Sequence, residues 1–144
     1  MRCMLACYRM VLRFFMHRDM SWEQMAKFTG YTPGIAPWSV RTLVQMSRMG
    51  FDIRSVEAFD YETFAAQGDA YVRRHFSPET YDWVMTHSDI DSVRPYLDDF
   101  VKLVRREVRS PQLSDIDAML YEGRLVTVSL NSRVLNQQDG FFSH

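Results

Sequence analysis

Residues 3–17, CMLACYRMVLRFFMH, form the stretch that decides the fold. Apolar side chains recur along it at the spacing of an α-helix, and the main positions are Leu5, Tyr8, Leu12 and Phe15. Arg9 and Arg13 lie four residues apart and mark the side of the helix that faces solvent. A helix that is apolar over so much of its circumference belongs inside a fold. The pattern therefore predicts a helix that starts at or just before Cys3 and is the central, most buried helix.

Capping and breaking residues divide the rest of the chain into short helices. Ser21 is followed three residues later by Gln24, which is the capping-box pattern of a helix start. Ser77-Pro78-Glu79 combines a cap, a proline in the first turn and an acid near the positive helix end. These and similar signals predict helices over residues 21–28, 39–49, 60–75, 77–86, from 89 or 91 to 101, and 114–122.

Alternation of apolar and polar residues predicts two strands. They are Phe51–Val56 and Leu125–Leu130, of which the second is the clearer; Val108 and residues 141–144 mark shorter candidates. Helices come first and strands gather toward the C-terminus, which favours an α+β fold over alternating βαβ units. We expect residues 1–144 to form a single domain. In it, the N-terminal helix packs against a small antiparallel sheet that includes Leu125–Leu130.

Composition narrows the class of protein. The chain has 144 residues, 47% hydrophobic and 24% charged, which are ordinary values for one globular domain. Its net charge of −1 shows no excess of positive charge of the kind that binds nucleic acid or an anionic membrane. No run approaches the roughly 18 uncharged apolar residues of a membrane span, and two cysteines exclude a disulfide-stapled secreted scaffold. These features predict a cytoplasmic protein without a nucleic-acid or membrane partner.

Cys3 is the first candidate for chemistry. It stands where a helix begins, and a helix N-terminus stabilises a thiolate. A nucleophilic cysteine also needs a histidine nearby in space, and His144 is the most distant one in sequence. The alternative is that Cys3 is a small buried hydrophobic residue. Cys7, one turn further on, is expected to face inward as a structural residue, and the two thiols lack the further ligands of a metal site.

The remaining polar residues favour structural roles. His17, His75 and His87 fall near predicted helix ends, and most acidic pairs fall at helix starts, where acids are expected. No glycine-rich phosphate loop is present, and we expect no cofactor and no metal. The aromatic residues around the Pro/Gly loop of residues 31–37 pack in the core or line a binding groove; they are Trp22, Phe28, Tyr31 and Trp38.

The cysteine helix resembles a known family. Residues 3–12, CMLACYRMVL, resemble the nucleophile helix of the bacteriocin leader peptidases, which are papain-like cysteine proteases with a Cys-Gly-x-Ala-Cys motif. Within that superfamily the chain looks most like the guanylylate-cyclase-domain family of plants and animals. Its other segments similar to that family are residues 36–39 with 43 and 50–51, residues 71–76, residues 116–123, residues 126–135 and residues 140–144.

The resemblance implies a papain-like fold and a thiol hydrolase, most simply a peptidase or amidase. Cys3 would be the nucleophile and His144 the general base, and the substrate would be a peptide or a small-molecule amide. Papain-like enzymes also use a glutamine upstream of the cysteine and an Asp or Asn after the histidine. Neither position lies within the chain, and Met4 replaces the motif glycine. We therefore expect the sequence to be a fragment, truncated at both ends.

Two other functions stay open from the sequence. The family name implies a nucleotide cyclase, although phosphoryl chemistry relies on cationic or metal stabilisation that the sequence does not display. The other alternative is a non-catalytic binding module that keeps the fold without the chemistry.

Overall fold

Helices dominate the computed structural model, which describes residues 3–130. In chain order the elements are α1 (Cys3–Met16), α2 (Trp22–Thr29), α3 (Val40–Arg48), β1 (Arg54–Glu57), α4 (Tyr61–Gln67), α5 (Asp69–His75), α6 (Pro78–His87), a 3₁₀ helix (Ile90–Tyr96), α7 (Leu97–Leu103), β2 (Arg105–Val108) and α8 (Leu113–Tyr121). The fold is mixed and rich in helix, with one small sheet, which confirms the α+β class in its coarse form.

Local capping chemistry accounts for most helix boundaries. Ser21 forms the expected capping box with Gln24 and starts α2, and Ser77 accepts from the backbone N–H of Thr80 at the start of α6. The single helix predicted over residues 60–75 is wrong, because the chain breaks at Gly68 into α4 and α5. Gly68 has a φ of 56°, which favours glycine. The Arg94 guanidinium lies 3.4 Å from where a Cβ at that position would stand.

The sheet is parallel, so the expectation of an antiparallel sheet is wrong. β1 pairs with β2, with Arg54 opposite Arg105 and Glu57 opposite Val108. The chain between the two strands forms helices α4 to α7 and returns the second strand in the direction of the first. Parallel pairing requires a long crossover of this kind, whereas an antiparallel pair can be joined by a tight turn.

Leu125–Leu130 is not a strand, which corrects the second sheet expectation. These residues have no regular secondary structure, and Leu125, Val128 and Leu130 are 50%, 53% and 56% exposed. Alternating residues form a strand only where a partner supplies backbone hydrogen bonds. Within residues 3–130 neither β1 nor β2 is paired with this stretch.

Two adjoining apolar cores hold the fold together. The first joins α1 to α2 and α3 through buried residues of all three helices, among them Leu5, Leu12, Met25 and Met46. The second surrounds Phe64 and Phe100 and draws on residues from Val40 to Val104. Leu43 and Ile53 pack against both cores. This arrangement fixes α1 as an outer helix with one buried side, so the expectation that it is the central, most buried helix is wrong.

Candidate functional site

Cys3 occupies the first turn of α1, and its side chain is exposed. The first turn of this 14-residue helix contains no acidic residue. The unpaired N–H groups of a helix start carry a partial positive charge, which favours an anion such as a thiolate. Cys3 is therefore in the environment that the sequence predicted for it, and the interpretation of it as a buried hydrophobic residue is wrong.

Cys7 is also exposed, one turn further along α1. The expectation that it faces inward is wrong, because the core contacts of α1 are made by a different side of the helix. The buried residues of α1 are Leu5, Tyr8, Val11 and Leu12. Both thiols thus face away from the core, on the same helix and in similar surroundings. This pairing makes each the natural control for the other.

A buried polar network lies on the inner side of α1. Tyr8 is buried, which raises the pKa of its phenol to about 12, while the Ser39 side chain acts on this pKa in the opposite direction. Nearby, the Glu57 carboxylate accepts hydrogen bonds from Ser55 Oγ at 2.6 Å and from the Tyr61 hydroxyl at 3.2 Å. Burial raises the pKa of Glu57 above its usual value despite these two donors. Periodicity could not reveal this network, because its members come from α1, β1, α4 and the residue before α3.

His75 is held inside an aromatic cluster. The Tyr71 hydroxyl accepts from the Asp60 backbone N–H at 2.7 Å and lies 3.1 Å from His75 Nδ1. This contact ties the imidazole to the Tyr71 hydroxyl, with the direction of the hydrogen bond set by the tautomer of His75. Burial lowers the pKa of His75. The imidazole packs edge-on against Phe59 with ring centroids 5.2 Å apart, so its role is structural, as the sequence indicated.

The other histidines and the acidic groups also have local roles. His17 is exposed and follows α1, and His87 stacks on Trp83. Asp60 caps α4, and the Asp115 carboxylate accepts two hydrogen bonds from the Arg109 guanidinium. Among residues 3–130 no three His, Cys, Asp or Glu side chains are grouped as metal ligands. His144 lies outside the described residues, so the distance between it and Cys3 stays a prediction.

The aromatic residues around the Pro/Gly loop are packing residues. Trp38 contacts Phe59 with ring centroids 5.0 Å apart and donates Nε1–H to Ser88 Oγ at 2.9 Å. Phe28 and Tyr31 pack against the core beneath α1. Trp22 is partly exposed and lies under the Arg9 guanidinium, 4.9 Å from the ring centroid. Three of the four pack against a core, which favours the packing interpretation, and Tyr31 also lines a cavity of about 400 Å³ beside Arg41.

An arginine-rich cavity of about 310 Å³ lies beside the sheet. The residues that line it are Arg54, Arg105, Arg106, Glu107, Glu122 and Arg124. Arg54 pairs with Glu107 and Glu122, Arg105 pairs with Asp52, and Arg124 pairs with Asp52 and Glu122. Since these arginines face carboxylates in the same network, the cluster ties α8 and the residues after it to the sheet. The sequence gives no signal for it, because all of these pairs except Arg124–Glu122 join residues that are 53 to 72 positions apart.

Comparison of the chain with protein-family models, with curated proteins and with solved structures gives no match. Among the helices of residues 3–130, none has the length and apolar character needed to cross a membrane.

Proposed function

We propose that the chain is a papain-like thiol hydrolase that cleaves a peptide or a small-molecule amide, with Cys3 as the nucleophile and His144 as the general base. The observation that carries the proposal is the position of Cys3, exposed in the first turn of a helix whose opposite side is fixed in the core. The resemblance of residues 3–12 to the nucleophile helix of leader peptidases supports the same role.

In this mechanism the His144 imidazole takes the proton from Cys3 Sγ, and the thiolate attacks the substrate carbonyl carbon. The leaving amine departs with the proton from His144, and water then hydrolyses the thioester to release the acid and restore Cys3. The helix start contributes a partial positive charge to the thiolate. Its unpaired N–H groups point in the same direction, where an oxyanion develops during attack.

The core contacts of α1 would fix the position and orientation of the Cys3 nucleophile. Leu5 and Leu12 are almost fully buried, at 2% and 0% exposure, so the helix cannot rotate without breaking the core. A rigid helix holds Cys3 in one orientation, which is what nucleophilic attack requires. We place the protein in the cytoplasm, where reducing conditions keep exposed thiols such as Cys3 and Cys7 free.

The test is the rate of iodoacetamide alkylation of each thiol in the full chain, followed by mass mapping at about pH 6, where an ordinary thiol with a pKa near 8.5 is largely protonated. The reference for each cysteine is its own rate in the guanidinium-unfolded chain. We expect Cys3 to react at least about tenfold faster folded than unfolded, since only the thiolate is nucleophilic. His144→Ala should abolish this acceleration, and Cys7→Ala should leave it unchanged.

A folded-state rate for Cys3 at or below the unfolded rate would contradict the hydrolase and favour the non-catalytic binding module. Metal-dependent turnover of GTP that survives Cys3→Ala would also contradict it, in favour of the nucleotide cyclase.

A further inference from the structure

An apolar stripe runs along α1 from Cys3 on the side away from the core. Its members are spaced four, three and four residues apart, which places them within about 60° of one another on a helix; they are Cys3, Cys7, Met10 and Phe14. Met10 is 63% exposed and Phe14 is 70% exposed. The stripe extends over about 16 Å of helix length at 1.5 Å per residue.

Such a stripe is unusual as a free surface. Scattered exposed apolar residues are ordinary, but a continuous apolar strip on a helix marks a place where something packs. No charged side chain interrupts the four positions. The described residues leave the stripe open, so a partner for it comes from outside residues 3–130.

We propose that residues 131–144 of the same chain pack on the part of this stripe that Cys7, Met10 and Phe14 form, which leaves Cys3 accessible at its end. The segment contains only two charged residues, Arg133 and Asp139, against four large apolar ones, Val134, Leu135, Phe141 and Phe142. Each buried aromatic side chain can cover about 150–250 Å² of apolar surface. Phe141 and Phe142 can therefore cover an area comparable to the exposed part of Met10 and Phe14.

Reach and concentration favour this occupant over a second copy. The 14 residues after Leu130 span up to about 46 Å when extended. A folded chain of this length has a radius of gyration of about 15 Å, which corresponds to a diameter of about 40 Å. The extended segment is therefore longer than the fold is wide. A short tether also gives an effective concentration in the millimolar range, far above the concentration of a second molecule in a dilute solution.

The proposal stands on the surface of α1 and not on the proposed hydrolase. The packing of this segment has one consequence for the proposed hydrolase. A segment that packs on the stripe brings its last residues to the side of α1 that carries Cys3.

The test uses Cys7, which lies inside the stripe and reports whether it is covered. In the full chain carrying Cys3→Ser, we expect iodoacetamide to alkylate Cys7 at least about tenfold more slowly folded than unfolded, since reaction then requires the segment to open. The double variant Phe141→Ser/Phe142→Ser should restore the unfolded rate while far-ultraviolet circular dichroism stays native. The matched control is Leu120→Ser. It removes an apolar residue of α8 that is 56% exposed, and it should leave Cys7 protected. Reaction of Cys7 at the unfolded rate in the parent chain overturns the proposal.

A second measurement identifies the occupant. The photo-crosslinking residue p-benzoylphenylalanine is placed at Met10, and ¹⁵N-labelled and unlabelled chains are mixed in equal amounts. Intrachain crosslinks to residues 131–144 support the proposal, whereas crosslinks of mixed mass reveal a second copy and overturn it. Cys3 acceleration and Cys7 protection are separate readings, so either proposal can fail without the other.

Discussion

Replacement of Phe59 by alanine will remove the residue on which the larger core is centred. Phe59 is 6% exposed and lies two residues after the end of β1. Its ring contacts six others at centroid distances from 5.0 to 5.8 Å, namely those of Trp38, Tyr61, Phe64, Tyr71, His75 and Phe76. Most of these pairs are edge-to-face or tilted, which is the favourable geometry for aromatic rings.

The magnitude follows from two losses. Truncation of a buried phenylalanine to alanine costs about 3–5 kcal/mol of unfolding free energy through lost transfer and a residual cavity. The surrounding rings come from two helices, α4 and α5, and from two connecting segments, so they cannot collapse together into the space, and we expect the upper half of that range. Phe59→Leu keeps most of the apolar volume but loses the ring contacts, and it should cost about 1–2 kcal/mol.

The assay is urea unfolding followed by tryptophan fluorescence, for which Trp38 is a reporter beside the substituted ring. The matched control is Tyr121→Ala, because Tyr121 is 95% exposed and its truncation should change the free energy of unfolding by no more than about 0.5 kcal/mol. A Phe59→Ala loss below about 1.5 kcal/mol with an unchanged denaturant slope would refute the reasoning, since a well-packed site cannot lose a ring so cheaply.

Two further outcomes are expected. Burial lowers the pKa of His75 below 6.5, so the unfolded chain binds the proton more readily, and the free energy of unfolding should fall as the pH drops through 6.5. His75→Gln should reduce this fall, measured as the urea midpoint. An equal fall in both proteins would contradict the assignment. α8 has no buried residue and is attached by ion pairs such as Arg109–Asp115. Raising the salt to about 1 M should therefore speed hydrogen exchange of its amides relative to those of α3, because screening then acts within about 3 Å; equal changes in both helices would show that α8 is held by other forces.

The sequence could predict features that depend on neighbouring residues. The start of α2 follows from the Ser21 and Gln24 side chains, and that of α6 follows from Ser77 and Pro78, because each cap is made within three residues. These predictions were correct because local hydrogen bonds decide them.

Features that depend on distant partners could not be predicted. Leu125–Leu130 has the alternation of a strand, but alternation does not say whether another strand lies beside it. The true second strand, β2, contains three consecutive charged residues, and it pairs with β1 from 51 positions away. Cys7 shows the same limit, since a helix that is apolar all round does not disclose which side finds a partner.

The spacing of β1 and β2 along the chain has a consequence for synthesis on the ribosome. The register that joins Arg54 to Arg105 separates the strands by 51 residues, so at 5–20 residues per second β1 waits about 3–10 s for its partner. The core beneath α1 is built entirely from residues before β1, and it can form during that interval. The emerging chain can therefore fold its N-terminal helices first, and the β1 edge stays without its native partner until Val108 leaves the exit tunnel.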